Sequence, residues 1–137
     1  MQTITEFFED KAKAFSKGDI NASAHSLRVP AKIAVGSRTM VLQTHADVRL
    51  MVEQYRNNLL VEGFQSTECE IHHIAMDGDT VARVLLDWVH RNSRGAEIGR
   101  VPASYFCERN DQRIWEIVLV EVVTEAQERH ASGLPIQ

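Results

Sequence analysis

The chain predicts an α+β domain, with helices gathered towards the N-terminus and an antiparallel sheet built by the rest. Three observations carry this reading. Residues 67–123 divide into four consecutive strands joined by tight turns. Apolar residues recur at helical spacing in segments before Gly63. The last strand, Ile114 to Val123, is apolar on both faces, which calls for a second layer or a second subunit over it. Helices packed on one face of such a sheet define the class, and three of them over a strongly curved sheet form a cone whose inside is a natural cavity.

In chain order, Thr3 and Glu6 have the spacing of a capping box, and Ile4, Phe7, Phe8, Ala12 and Phe15 continue as a helical stripe. Gly18 stops this helix as a C-terminal cap, and Asp19 caps a short second one, Ile20 to Ser26. Pro30 ends that region and opens a strand from about Ala31 to Val35, which Gly36-Ser37 turns into another, Thr39 to Leu42. Thr44 caps a third helix, with Val48, Met51, Val52, Tyr55 and Leu59 on one stripe, and Gly63 ends it.

The meander follows. Asp77-Gly78 between two alternating runs is the signature of a two-residue hairpin. Pairing outward from Met76 and Asp79 sets His73 beside Ala82, Ile71 beside Val84, Cys69 beside Leu86 and Thr67 beside Trp88, all on one mostly apolar face. A two- or four-residue turn near Asn92–Gly95 adds Gly99, Val101, Ala103, Tyr105 and Cys107 to that face. Pro102 has no amide to donate and suggests an edge or a bulge. In the last strand, Trp115, Ile117 and Leu119 alternate with Val118, Val120 and Val122. Residues 125–137 read as a polar tail that frays.

A chain of 137 residues, 44 % hydrophobic and 25 % charged, is expected to form one domain with a single core. Its net charge of -4, with lysine and arginine scattered, argues against nucleic acid as a partner. No apolar run approaches the roughly 20 residues of a membrane span, and no signal-peptide pattern opens the chain. Cys69 and Cys107 lack CxxC spacing and read as reduced core thiols in a cytoplasm, with a disulfide as the alternative. There is no P-loop, GxGxxG before a helix, GxSxG, HExxH or Cys cluster, so no cofactor and no metal are expected.

Three short phrases carry a family resemblance: Lys17-Gly18-Asp19 between the first two helices, Thr44-His45-Ala46-Asp47-Val48 opening the third, and Tyr105-Phe106 with Trp115-Glu116-Ile117 before the long last strand. In these and in layout the chain resembles the NTF2-like (cystatin-like) superfamily, in particular its small SnoaL-like and ketosteroid-isomerase-like bacterial members. The resemblance implies a pocket between helices and sheet, and dimers through the outer sheet face. It also implies a departure. Isomerase-like members place a general-base aspartate at the end of the first strand, where this chain has Ala34-Val35-Gly36. Of Val101, Ala103 and Tyr105, where a second family acid would fall, only Tyr105 can donate a hydrogen bond. That isomerase chemistry does not carry over, and no His/Asp pair of the cyclase or dehydratase kind is identified.

Glu121 follows Trp115, Ile117 and Leu119 at strand spacing, on the face such proteins turn to their cavity. A carboxylate among apolar neighbours suits a general acid or base. A solvent-exposed strand end, or a pairing with Arg28, Arg100 or Lys32, explains it equally without chemistry. His25 and Arg28 close the second helix, at the expected mouth of the cone, where a histidine suits acid–base work or simply caps the helix. Tyr55, Trp88 and Tyr105 are expected to point inward, as the wall of an apolar ligand site or as plain core. Val118, Val120, Val122 and Ile114 form an apolar stripe expected to bury itself in a two-fold homodimer.

Two functional readings follow. In the first, the chain is a small-molecule binder or cofactor-independent enzyme. Glu121 and His25 are then its catalytic pair, and Tyr55, Trp88, Tyr105 and Arg28 bind a small apolar or carboxylic ligand. In the second, it is a non-catalytic dimeric interaction module with a filled cone.

Overall fold

The computed structural model describes residues 1–122. They run as α1 (Ile4–Lys17), α2 (Ile20–His25), β1 (Leu27–Val35), β2 (Arg38–Leu42), α3 (His45–Val61), β3 (Phe64–Asp77), β4 (Val81–Asn92), β5 (Glu97–Arg109) and β6 (Trp115–Val122). Val123 and the expected polar tail lie outside the described residues. The six strands make one sheet in the order β2-β1-β6-β5-β4-β3, antiparallel throughout except where β1 runs parallel to β6. All three helices contribute to one core with a single face of this sheet, the α+β arrangement expected.

Local chemistry sets the helix ends. At α1, Thr3 Oγ1 accepts from the Glu6 amide at 3.1 Å, and Glu6 accepts from the Thr3 amide at 2.9 Å. The same reciprocal box, Thr44 with Asp47, opens α3. Gly18 closes α1 in the left-handed region, at φ +81°. A side chain there would also press on Arg56, whose guanidinium donates to the Phe15 and Ser16 carbonyls at 2.8 and 3.0 Å. Those carbonyls belong to the last turn of α1, so a residue of α3 caps a neighbouring helix.

The β5 residues expected on the apolar face are there: Val101 faces Trp88, Ala103 faces Leu86, Tyr105 faces Val84 and Cys107 faces Ala82. Pro102 lies within β5 opposite Asp87, one residue outside the described pairing with β6, which begins at Ala103–Val122.

The first hairpin differs from expectation. Asp77 pairs with Val81 around a three-residue loop, and the β3 register is displaced accordingly. A bulge between Ile71 and His73 then absorbs one residue. Below it, Thr67, Cys69 and Ile71 keep the helix-packed side, now opposite His90, Trp88 and Leu86. Above it, Ile74 rather than His73 turns to the helix-packed side, opposite Val84, and His73 is exposed opposite Leu85. A bulge inverts the alternation downstream, so a simple period of two fails from His72 onward.

β6 contains a second such inversion. Cys107 pairs with Ile117 but Phe106 pairs with Leu119, leaving Val118 as the extra residue. Trp115 and Ile117 are buried against the helices, and beyond the bulge so are Val120 and Val122, at 0 % and 3 % exposure. Leu119 and Glu121 turn to the opposite side, opposite Phe106 and Ser104. The expected stripe of Val118, Val120, Val122 and Ile114 is therefore corrected, since two of its members are core.

Deleting Val118 should remove the bulge, turning Val120 and Val122 outward and Glu121 into the core. Burying an unpaired carboxylate costs several kcal/mol, comparable with a whole domain's roughly 5–15 kcal/mol. The deletion variant is expected to lose its cooperative thermal transition, as followed by circular dichroism. A melting curve within a few degrees of wild type would contradict this account of β6.

Candidate functional site

Among the described residues, the aromatic groups expected to line a cavity pack on and hydrogen-bond to one another. Trp88 and Tyr105 are both fully buried, and the Trp88 indole donates to the Tyr105 hydroxyl at 2.7 Å. Their rings meet edge to face at 6.2 Å, and Phe8 packs on both. Tyr55 Oη lies 2.8 Å from His90 Nε2, and His90 Nδ1 lies 3.0 Å from Thr67 Oγ1, which donates to the Val89 carbonyl. Phe15 and Phe64 close around the His90 ring. Burial without an ionic partner holds the Tyr105 phenol well above its usual range. Tyr55, Trp88 and Tyr105 are thus brought inward as expected, but their polar tips bond within the protein. His90, at the end of these hydrogen bonds, is itself a core residue, 1 % exposed on the same side of β4 as Trp88.

The other expected residues are not assembled with them. His25 is exposed at the end of α2, its Nδ1 2.8 Å from the Asn21 carbonyl, stacked at 4.4 Å on His45 at the start of α3. Arg28 bridges Glu108 at 2.7 Å and Glu116 at 3.0 Å, which face each other across β5 and β6. The two glutamates would repel without it. The Val118 bulge carries Glu121 to the outer face, beside Ala34 and Ser104, away from Tyr55, Trp88 and Tyr105. The expectation that Glu121 shares a face with Trp115 and Ile117 is corrected for that reason.

Three features escaped the sequence reading. On the outer face, Arg100 lies 2.9 Å from Asp87, 3.3 Å from Glu70 and 3.0 Å from Glu97, with His72 3.2 Å from Asp87. Partial burial pushes the Asp87 carboxyl up, but Arg100 and His72 outweigh it and hold the group below its usual range. Glu70, His72 and Asp87 bring ligand-type atoms within 4.8 Å of one another, but the Arg100 guanidinium already bridges the two carboxylates. Val89, on this outer face, is only 1 % exposed and has Glu68 and Arg100 as its cross-strand neighbours.

Lys11 is the second. It falls on the apolar stripe of α1, between Phe8 and Ala12, and is only 4 % exposed. Its Nζ donates to Ser26 Oγ at 2.6 Å and to the Ser23 carbonyl at 3.2 Å, and it makes no ion pair with any described residue. Burial draws its ammonium down to about 7, and burial raises the nearby Cys107 thiol to about 12. A lysine at a core position of a helical stripe was the available signal.

The third feature is a pair of hollows against α1. One of about 400 Å³ opens between α1 and β3, beside Glu9, Lys13, Thr67 and Cys69. A smaller one of about 130 Å³ lies beside Lys11 and Ser26. Both cysteines are free thiols, set on strands separated by β4. Among the described residues no helix is long and apolar enough to cross a membrane.

This combination of helices over a bulged, mostly antiparallel sheet with a parallel β1–β6 pair defines the cystatin-like class of folds. The chain belongs to an NTF2-like family: the family model described as NTF2-like protein (DUF6841) matches residues 2–125. No curated protein matches it in sequence. Solved structures similar to it include a domain of unknown function with a cystatin-like fold from Nostoc punctiforme PCC 73102. That structure has 15 % identity and a TM-score of 0.68, over 92 % of this chain and 79 % of that one. An NTF2-like protein from Novosphingobium aromaticivorans has 17 % identity and a TM-score of 0.66, over 93 % and 85 %. An NTF-2 like protein of unknown function from Shewanella oneidensis MR-1 has 14 % identity and a TM-score of 0.62, over 83 % and 90 %. At these identities the likeness is one of fold.

Two outcomes follow. Tyr55→Phe removes the bond to His90 and should cost about 1–2 kcal/mol in urea denaturation, without changing the m-value. For Lys11, the folded group sits below its unfolded value of about 10.4. Below pH 7 it is charged in both states and the fold bears the full burial cost, which is relieved as pH rises from about 7 towards 10. Lys11→Met should therefore stabilise the protein by about 1–3 kcal/mol at pH 6, with a gain that fades by pH 10. A gain independent of pH would show that Lys11 titrates normally.

Proposed function

We propose that the chain works as a homodimeric interaction module, two copies packing through the outer faces of their sheets, with the cone interior serving as packing core. The observation that carries this is the composition of the outer face. Leu85 lies opposite Ser104, in a row that continues to Glu121 and Ala34, and Phe106 lies opposite Leu119 in the adjacent row, between Arg83 and Lys32. Leu85 is 39 % exposed, and Phe106 and Leu119 are half-buried. The Arg83 guanidinium lies 4.8 Å from the Phe106 ring centroid. At one end stands the Arg28–Glu108–Glu116 cluster and at the other the Arg100–Asp87–Glu70 cluster. An apolar centre within a polar rim is the anatomy of a protein interface. Each charged cluster holds more carboxylates than guanidinium groups, so both belong at the hydrated rim, and the apolar rows between them supply the contact a second copy would make.

The alternative has less support. A small apolar or carboxylic ligand inside the cone would have to part the Trp88–Tyr105 and Tyr55–His90 bonds. Glu121 and His25 would have to act from the outer face and from an exposed helix end. The free thiols Cys69 and Cys107 suit a reducing cytoplasm.

Sedimentation equilibrium tests the proposal. The wild type is expected to be dimeric at micromolar concentration. Leu85→Asp and Phe106→Asp should each weaken the dimer by at least about 30-fold while the circular dichroism spectrum is retained. A monomeric wild type, or dimers indifferent to both changes, would overturn it.

A further inference from the structure

Lys11 has an unusual environment for a charged side chain. It lies on the buried stripe of α1, and the atoms within hydrogen-bond reach of its Nζ are Ser26 Oγ and the Ser23 carbonyl oxygen. The Ser26 hydroxyl spends its own proton on the same Ser23 carbonyl, at 2.8 Å, so towards Lys11 it is an acceptor. Two acceptors match the two N–H bonds of a neutral amine and leave its lone pair unused. An ammonium would carry a third donor, for which the described residues supply no acceptor. Removal from water without a carboxylate partner favours the neutral form as well, drawing the group down to about 7. A desolvated lysine of this kind is nucleophilic near neutral pH.

Lys11 also borders a hollow of about 130 Å³, walled by Phe7, Ala14 and Ala22, with Gln2, Asp10 and Ser26 supplying its polar groups. That volume equals about four water molecules at roughly 30 Å³ each, so it admits a compound of about four non-hydrogen atoms. The apolar wall suits an alkyl group, and the Asp10 carboxylate disfavours an anionic compound. Gln2 occupies that carboxylate through a 2.6 Å hydrogen bond.

We infer that Lys11 is a carbonyl-reactive amine, and that the hollow beside it takes a small neutral aldehyde and holds it as an imine. The Lys11 nitrogen attacks the carbonyl carbon, and its proton passes to the carbonyl oxygen to give a carbinolamine. Ser26 Oγ, 2.6 Å from Nζ, accepts one of the amine's N–H bonds and so positions the nitrogen for attack. A second proton transfer from nitrogen to the hydroxyl expels water and leaves the C=N bond. No oxidant or reductant enters, and hydrolysis reverses the reaction. The site lies between α1 and α2, apart from the outer sheet face, so it goes beyond the dimer proposed above and does not depend on it.

The chain has four lysines, and Lys13, Lys17 and Lys32 are exposed, which provides internal controls. The full chain is incubated at pH 7 with propanal and cyanoborohydride, which traps the imine as a secondary amine, and labelling is timed by peptide mass spectrometry. The α-amino group of Met1 is scored apart. Lys11 is expected to label at least tenfold faster than the other three lysines, and in urea its rate should fall to theirs. Glyoxylate, which brings a carboxylate towards Asp10, should lose most of that preference. Ser26→Ala should slow Lys11 several-fold and leave the three controls unchanged. A Lys11 that labels no faster than Lys13, Lys17 and Lys32 in the folded protein overturns the inference. Equal preference for glyoxylate overturns the assignment to neutral aldehydes.

Discussion

Ile117 and Val120 both reach the helix-packed side of β6 because Val118 stands as an extra residue opposite the Phe106–Cys107 step. With strict alternation one of the two would face outward, and Trp115 could not share the core with Val122. The bulge therefore lets a strand that is apolar on both faces divide its residues unequally. Four go to the core, and Leu119 and Glu121 go to the other side. The composition of the outer face and the absence of Glu121 from the aromatic centre both follow from this one insertion.

The centre itself is built from polar aromatics that satisfy one another. Trp88 and Tyr105 pair across β4 and β5, and Tyr55 reaches from α3 to His90, which in turn contacts Thr67 on β3. Left unpaired in a dry interior, each of these groups would cost on the order of 1–3 kcal/mol. Paired, they tie helix to sheet and fix the direction of each ring. A cavity lined by the same residues would need those groups free to meet a ligand. The sequence alone does not distinguish these cases, because the same residue types serve both.

What could be read from the sequence was governed by local chemistry. Thr3 with Glu6, Gly18, Asp19 and Thr44 place the helix boundaries within a residue or two, because capping involves only near neighbours. The inward face of β5 could be chosen because a turn of two or four residues, unlike one of three, keeps Val101, Ala103 and Tyr105 on the apolar side. The bulges at His72 and Val118 left no such mark. Each depends on how a partner strand is held, and each reverses every assignment beyond it. Glu121 and His73 were placed on the wrong side for that reason. Lys11 was legible in principle, as a cation inside an apolar helical stripe, and its pairing with Ser26 needed only the short α1–α2 turn.

The break in β3 at His72 has a bearing on solubility as well. β3 is fourteen residues long and lies at the margin of the sheet, with β4 as its neighbour on one side. A straight ribbon of that length would offer an uninterrupted row of amides and carbonyls to any other unfinished strand. The kink interrupts that row and increases local twist, while Glu68, Glu70 and the histidines beside it add charge and bulk. At the far margin β2 has only five residues. The same irregularity that defeats a simple reading of the hairpin thus also makes the β3 edge a poorer template for edge-to-edge pairing with another sheet.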